Sequence, residues 1–472
     1  MSTAEGLRAQ IKALTSEIKK HQARLEEMKS HLHALQEQLH AIPYPVLSLP
    51  PEIIAHIFEY TPVSGMNTWR RVAPTLFTQV CHTWREIAVT TPTLWSSFSI
   101  WIHERTGWRG LAHLAEMWFS RAGNVPLHVD VHGDMGWTQA TGIPAFLAVL
   151  ERYSPRIGHL RLGMATHDLA MLDTYSFNWQ RLVSLKYSLT YEGRPTNSPR
   201  YKLFQTASSL RSVEFNSMLP SFFDLPWSNV DHFDGFSYSC RDALQIMEQL
   251  PNTTSFELVT STYEDVRRTE PRPVEYTNVH KFVITEQGQP HPEAHILEFF
   301  TFPQLETLEL GSEIDGDALS LFLTRSAAPL RRLVLTGGEV FNSLEVDVLK
   351  QVPSLVELEL RSPTRWLYRE FIFNEYPDRM GFLPKLEKLS ISCALRDEIT
   401  MDDLVGDVGA ELMTRKKKLA QSGGWTLKAL SLYVEVPDTM RYIYPERSLA
   451  VYKELREGGL EVSIRGRYTV VF

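Results

Sequence analysis

One aliphatic spacing recurs along the C-terminal two thirds of this 472-residue chain and constrains its fold more than any other feature. An apolar residue is followed, three and then five positions on, by two more. The pattern is clearest in FPQLETLEL, APLRRLVL, VPSLVELEL and LPKLEKLSI, where it starts at Leu305, Leu330, Leu355 and Leu386. Weaker copies start at Ile157, Leu182, Leu210, Thr253, Val279 and Leu427, and most intervals lie between 23 and 31 residues. Alternation of the second and third positions predicts a short strand with one buried face, and parallel stacking of such strands gives a continuous core. AHILEFF, DALSLFLTRS and VDVLKQV carry helix-period apolar residues ahead of a repeat strand, so each unit reads as strand plus helix.

The spacing is that of leucine-rich repeats and predicts an irregular α/β arc with a parallel sheet over residues 151–472. The array departs from the regular family. The asparagine that usually follows the strand is replaced by Glu313, Gly338 and Pro363, so the sequence does not set the curvature. The long interval from Leu386 to Leu427 holds RDEITMDDLVGDVGAELMTRKKK, an insertion or a lengthened helix; its basic end, Arg415 to Lys418, reads as a solvated helix terminus rather than an import signal. Upstream, LAHLAEMWFSRAGNVPLHVDV predicts a helix, a turn at Gly123 and Asn124, and a strand burying Leu127, Val129 and Val131. Residues 99–150 are therefore expected to bridge and cap the array, whose first strand would otherwise leave an apolar edge.

Side chains alternating with the buried ones would line the open face of such a sheet. They include Glu214, Glu257, Lys281, Thr307, Glu309, Arg332, Glu357, Glu359, Arg361, Lys388 and Tyr433. The last seven are the candidate target-binding residues, and their mixed charge suits a protein ligand better than a uniformly charged polymer.

The first forty residues follow a different period. Leu7, Ile11, Leu14, Ile18, His21, Leu25, Met28, Leu32, Leu35, Leu39 and Ile42 fall at alternating spacings of four and three, a heptad seam with Ile11, Ile18, Leu25, Leu32 and Leu39 at a. Helix over residues 1–42 is predicted, since no proline precedes Pro43. His21 alone is polar in the seam. A parallel homodimer would set Arg24 at g opposite Lys29 at e, so self-association through residues 7–42 and packing within the chain both stay open.

Between these regions, Pro50 and Pro51 fit only a first helical turn, and Glu52 suits its positive end. Ile53, Ile54, Ile57 and Phe58 then give one short helix both a core side and a partner side. Pro74 starts a second helix of about three turns, with Leu76, Val80 and Trp84 on one stripe and Phe77, Cys81 and Ala88 beside it. It stops before Pro92, and Leu94 with Trp95 reads as an apolar plug.

Taken together, LPPEIIAHIF, VCHTWREIA and LW resemble the F-box, the helical module that docks on the Skp adaptor of Skp-cullin-F-box ubiquitin ligases. The resemblance covers residues 46–98 and extends to a fungal group with an N-terminal heptad helix. It departs at TPVSGMNTWRRVAPT, which is longer than in a compact F-box. It implies an adaptor surface drawn from Leu49, Pro50, Ile53, Ile54, Ile57, Phe58, Val80, Cys81 and Trp84; for Cys81 and Trp84 the module's own core is an equal alternative.

Composition narrows the class. With 43% hydrophobic residues, 22% charged and a net charge of −8, the chain reads as a soluble globular protein without the basic excess of a nucleic-acid binder. Cys81, Cys240 and Cys393 fit neither a disulfide framework nor zinc spacing, which points to the cytoplasm or nucleus. Neither a signal peptide nor eighteen consecutive apolar residues is present, so no membrane is expected. HPEAH at His291 to His295 lacks the order of a zinc motif, and no phosphate loop, dinucleotide pattern or nucleophile elbow occurs, so neither cofactor nor active site is expected. The resemblance therefore implies a non-catalytic subunit holding the Skp adaptor, through it a cullin, and an unidentified target protein. The alternative is a scaffolding protein whose F-box assembles no ligase.

Overall fold

The computed structural model describes residues 2–40, 45–61, 73–102, 108–133, 142–190, 200–260, 272–286, 296–311, 316–336, 346–361, 383–394, 426–435 and 446–466, with 406, 408–410, 412–414 and 416–417. It divides into two units, Met1–Ser96 with Ser120–Gly123, and Ser97–Phe119 with Asn124–Phe472. Ile42, the side chain of Leu39, residues 62–72, His291 to His295, Glu313, Gly338, Pro363, Arg415 and Lys418 lie outside the described residues.

The first unit is helical. Helix α1 (Ser2–His40) is followed by a 3-10 turn (Pro45–Ser48), α2 (Pro51–Glu59), α3 (Ala73–Val80), α4 (His82–Thr90) and a second 3-10 turn (Pro92–Trp95). Pro51 opens α2, where its missing amide costs nothing, and the amides of Ile53 and Ile54 bond the Pro50 carbonyl at 3.0 and 3.2 Å. The single helix expected after Pro74 is two. Cys81 is extended (φ −155°, ψ 173°) and caps α4, its Sγ accepting the Trp84 amide at 3.5 Å. Val80 and Trp84 therefore do not share a stripe.

The second unit is one parallel sheet. Its strands are β1 (Ser97–Ile102), β2 (Leu127–Gly133), β3 (Ile157–Met164), β4 (Ser184–Leu189), β5 (Ser212–Asn216), β6 (His232–Tyr238), β7 (Ser255–Thr260), β9 (Lys281–Glu286), β11 (Thr307–Gly311), β12 (Arg332–Thr336), β13 (Glu357–Arg361), β14 (Lys388–Ala394), β15 (Ala429–Glu435) and β16 (Glu461–Gly466), hydrogen-bonded in that order. The short β8 (Val274–Glu275) and β10 (Phe300–Thr301) pair separately. Strands at 97–102 and 127–133 thus extend the repeat sheet itself through the region expected to cap it. Helices α5 (Trp108–Arg121), α6 (Ile143–Tyr153), α7 (Thr166–Leu172), α8 (Cys240–Glu248), α9 (Gly316–Ser326) and α10 (Val346–Lys350) connect strands. AHILEFF forms only one 3-10 turn (Ile296–Phe299) before passing into β10, which brings Phe300 and Phe302 within 5.9 and 5.0 Å of the Phe282 ring.

Two buried rows run across the sheet. One joins Phe233, Phe256, Phe282, Leu308, Leu333, Leu358 and Leu389; the next joins Leu258, Ile284, Leu310, Leu335, Leu360 and Ile391. A backbone ladder accompanies them. The Glu306 carbonyl accepts the amides of Arg331 and Arg332 at 2.8 and 2.9 Å, and the Arg331 carbonyl accepts those of Val356 and Glu357 at 2.8 and 2.9 Å. The same bifurcated step recurs from Val183 through Glu387. Main-chain groups thereby link successive repeats and stay satisfied where they are buried.

Strand β6 fills the wide gap between the copies at Leu210 and Thr253. It begins after Val230, but Gly235 occupies its third apolar place. A Cβ there would meet the Leu258 and Tyr238 side chains at 2.8 Å. Tyr238 supplies the missing volume through a register shift after Phe236, with Ser237 at φ 63°, and its hydroxyl donates to the Met218 carbonyl.

Candidate docking surfaces

The core of the short helices decides which side chains can face a partner. Ile54, Phe58, Ile87 and Ala88 are enclosed, with Ala55, Phe77, Trp84 and Leu94 packed around them. Phe58 stacks on Phe77 with centroids 4.0 Å apart and meets Trp84 edge-on at 4.9 Å. Of the nine residues that the resemblance assigns to the adaptor, Ile54 and Phe58 are 1% and 3% exposed and sit in the module's own core instead. Helical geometry explains this, because positions i and i+4 share a face: Ile54 and Phe58 turn inward as a pair.

The other pair turns outward. Ile53 and Ile57 are 48% and 46% exposed, Leu49 lies one turn earlier at 37%, and Pro50 is exposed. On α3, Leu76 and Val80 form a second outward pair at 55% and 60%. Leu76, together with the exposed Val46 and Tyr60, was absent from the sequence assignment, although its i, i+4 relation to Val80 was readable there. Cys81 and Trp84 are half-buried, one as a cap and the other as a wall of the core.

Polar contacts fix the helices beneath this surface. Arg85 Nε donates to the Thr78 carbonyl at 2.7 Å, tying the end of α3 to α4. Glu59 accepts from the Thr93 hydroxyl and lies 3.2 Å from His56 Nδ1; these hydrogen bonds, Thr93 foremost, hold its carboxyl below the usual range. Arg121 lies over the Trp95 ring, 4.5 Å from its centroid.

The open face of the second unit carries the other candidates. Arg332 donates to Glu357 at 3.0 Å and Glu359 at 2.9 Å, and its Nε lies 3.9 Å from Glu309. Arg361 donates to Glu359 at 2.7 Å. Five of the seven predicted target residues therefore form one ion-pair network. Lys388 faces Glu357 in register, and Tyr433, 39% exposed, follows Arg361 and Ser392 along another row.

The same face holds a feature that the sequence pattern missed along with β6. Register aligns Lys186, Glu214, Asp234 and Glu257 on successive strands. Lys186 bonds Glu214, and Lys281 bonds Glu257 at 2.5 Å, while Asp234 between them has neither hydrogen bond nor ion pair among the described residues. Burial, then the two flanking glutamates, push its carboxyl up to about 7. Further along, His128 stacks on His159 at 4.1 Å, and burial depresses its imidazole below the usual histidine range.

Among the described residues, no group of three or more His, Cys, Asp or Glu side chains could hold a metal ion, and no helix is long and apolar enough to cross a membrane. None of the curated proteins compared with the chain matches it. The family model described as F-box-like matches residues 46–101, a span holding α2, α3, α4 and the outward-facing isoleucines, and the chain accordingly carries an F-box-like domain.

Proposed function

We propose that the chain is the substrate-recognition subunit of a Skp-cullin-F-box ubiquitin ligase, holding the Skp adaptor on the outer faces of α2 and α3 and a target protein on the open face of the parallel sheet. The carrying observation is the division of α2, which encloses Ile54 and Phe58 while leaving Ile53 and Ile57 half exposed. A nine-residue helix that buries one apolar pair and presents another is a docking element, because clustered surface apolar side chains gain most from a partner. The sheet then positions the target, and catalysis belongs to the other subunits, which act through raised effective concentration.

The test is capture of the purified full chain by the Skp adaptor. The unmodified chain binds, and Ile53→Asp combined with Ile57→Asp abolishes binding while circular dichroism stays unchanged. A well-folded unmodified chain that fails to bind the adaptor overturns the proposal and leaves the scaffolding alternative.

A further inference from the structure

Helix α1 spans 39 residues, and every side chain described on it, from Ala4 to Gln38, is exposed. Its aliphatic seam residues are between 48% and 64% exposed. Amphipathic helices in proteins owe most of their stability to packing of the apolar face, so this seam calls for an occupant. Packing within the chain, left open by the heptad pattern alone, leaves no trace in the burial of these residues.

We propose that the occupant is a second copy of this chain, joined through α1 as a parallel two-stranded coiled coil. The first half of the seam has the composition of a two-stranded parallel pair, with β-branched Ile11 and Ile18 at a and Leu7 and Leu14 at d, and Leu25 and Leu32 continue a as leucines. In that register each residue meets its own counterpart. The eight exposed aliphatic residues would together bury on the order of 1,600 Å² over both chains, the size of a specific, stable interface.

The one adverse contact, Arg24 at g against Lys29 at e, is softened within each helix, where Lys29 Nζ lies 2.9 Å from Glu26 Oε1. An exposed like-charge contact is in any case small beside the seam. His21 at d then meets His21 of the other copy, and a polar pair inside an apolar seam fixes register and strand number at a cost in stability. A parallel pair starts both F-box-like domains from the same end of the coiled coil. Two adaptor surfaces and two target faces would then act as one bivalent assembly, in which the second engagement is intramolecular. The inference is independent of adaptor binding, since it rests on α1 alone.

The test measures the mass of the full chain by sedimentation velocity. The expected species is a dimer of 54.2 kDa chains. Leu14→Asp combined with Leu25→Asp returns it to monomer with α2–α4 and the sheet intact by hydrogen exchange, whereas His21→Leu tightens association. Leu14→Cys, oxidised, gives a covalent dimer absent from the unmodified chain, since only a parallel pair brings position 14 against itself. A monomeric unmodified chain overturns the proposal, as does a dimer indifferent to the Leu14/Leu25 change. A dimer that Leu14→Cys fails to cross-link overturns the parallel arrangement.

Discussion

The indole N–H of Trp95 donates a 2.7 Å hydrogen bond to the carbonyl of Ala88. Four residues after Ala88 stands Pro92, which has no amide proton to give, so the side chain replaces the missing helical donor. Ala88 and Trp95 are both fully buried, and the carbonyl has no water to turn to. This is the physical content of a Leu-Trp pair following a proline-terminated helix.

Trp95→Phe keeps an aromatic side chain, removes the donor and leaves the space of the second ring unfilled, which adds a cavity cost to the lost bond. Leaving the Ala88 carbonyl unsatisfied should cost about 1–3 kcal/mol. Hydrogen exchange in α4 should then speed up roughly tenfold or more, with the sheet strands unaffected. Unchanged protection of α4 would show that the bond contributes nothing.

Cys81 offers a second check, because its sulfur caps α4 and does not point to chemistry. Cys81→Ser places a better capping atom at the same position and should preserve or raise stability, whereas Cys81→Ala should lose about 1 kcal/mol. Thermal unfolding followed by circular dichroism at 222 nm ranks the three chains. A serine variant less stable than the alanine variant would refute the capping role.

Legibility in the sequence varied for identifiable reasons. The repeat strands at Leu305, Leu330, Leu355 and Leu386 were readable because each buried position is filled by a side chain from its own strand. β6 was not, because the space above Gly235 is filled by Tyr238 from beyond a register shift. The break between α3 and α4 was hidden by Cys81, which looks apolar in a periodic stretch yet serves as a cap. On α2, spacing gave Ile53, Ile54, Ile57 and Phe58 both a core side and a partner side without assigning each residue to one. Only packing against Phe77, Ile87 and Ala88 decided which face is inside. The backbone ladder from Val183 to Glu387 involves no particular side chain and leaves no pattern to read.

Arg332 is the cation at the centre of the acidic stretch of β11 and β13. Arg332→Met keeps much of the stem and removes the charge, leaving Arg361, paired with Glu359, and Lys388, in register with Glu357, as the cations beside Glu309, Glu357 and Glu359 among the described residues. The group is partly exposed, so the loss should be about 1–2 kcal/mol rather than the larger cost of breaking a buried pair. Because the penalty is repulsion between partly exposed carboxylates, it should shrink as salt screens them. Urea unfolding at low and high salt makes the comparison, and an equal loss at both would assign the effect to packing of the stem.

Asp234 predicts a pH dependence of the opposite sign to that of an ion-paired carboxylate. Its carboxyl rises to about 7 in the fold, against about 3.9 in an unfolded chain. Between those values the folded state holds a proton that the unfolded state has released, so stability falls as pH rises from about 4 to about 7 and the loss is complete above that. Converted in full, the difference is about 4 kcal/mol; water reaching a carboxyl that is only partly enclosed reduces it to about 1–2 kcal/mol. Asp234→Asn cannot ionise, yet it keeps the size and hydrogen-bonding atoms of the protonated acid. The variant should therefore melt with the unmodified chain at about pH 3.5 and increasingly above it as the pH is raised through about 7, by calorimetry. A variant less stable than the unmodified chain at pH 8 would mean that the Asp234 carboxylate is held by attraction to Lys186 and Lys281, and that the repulsion of Glu214 and Glu257 is the smaller effect.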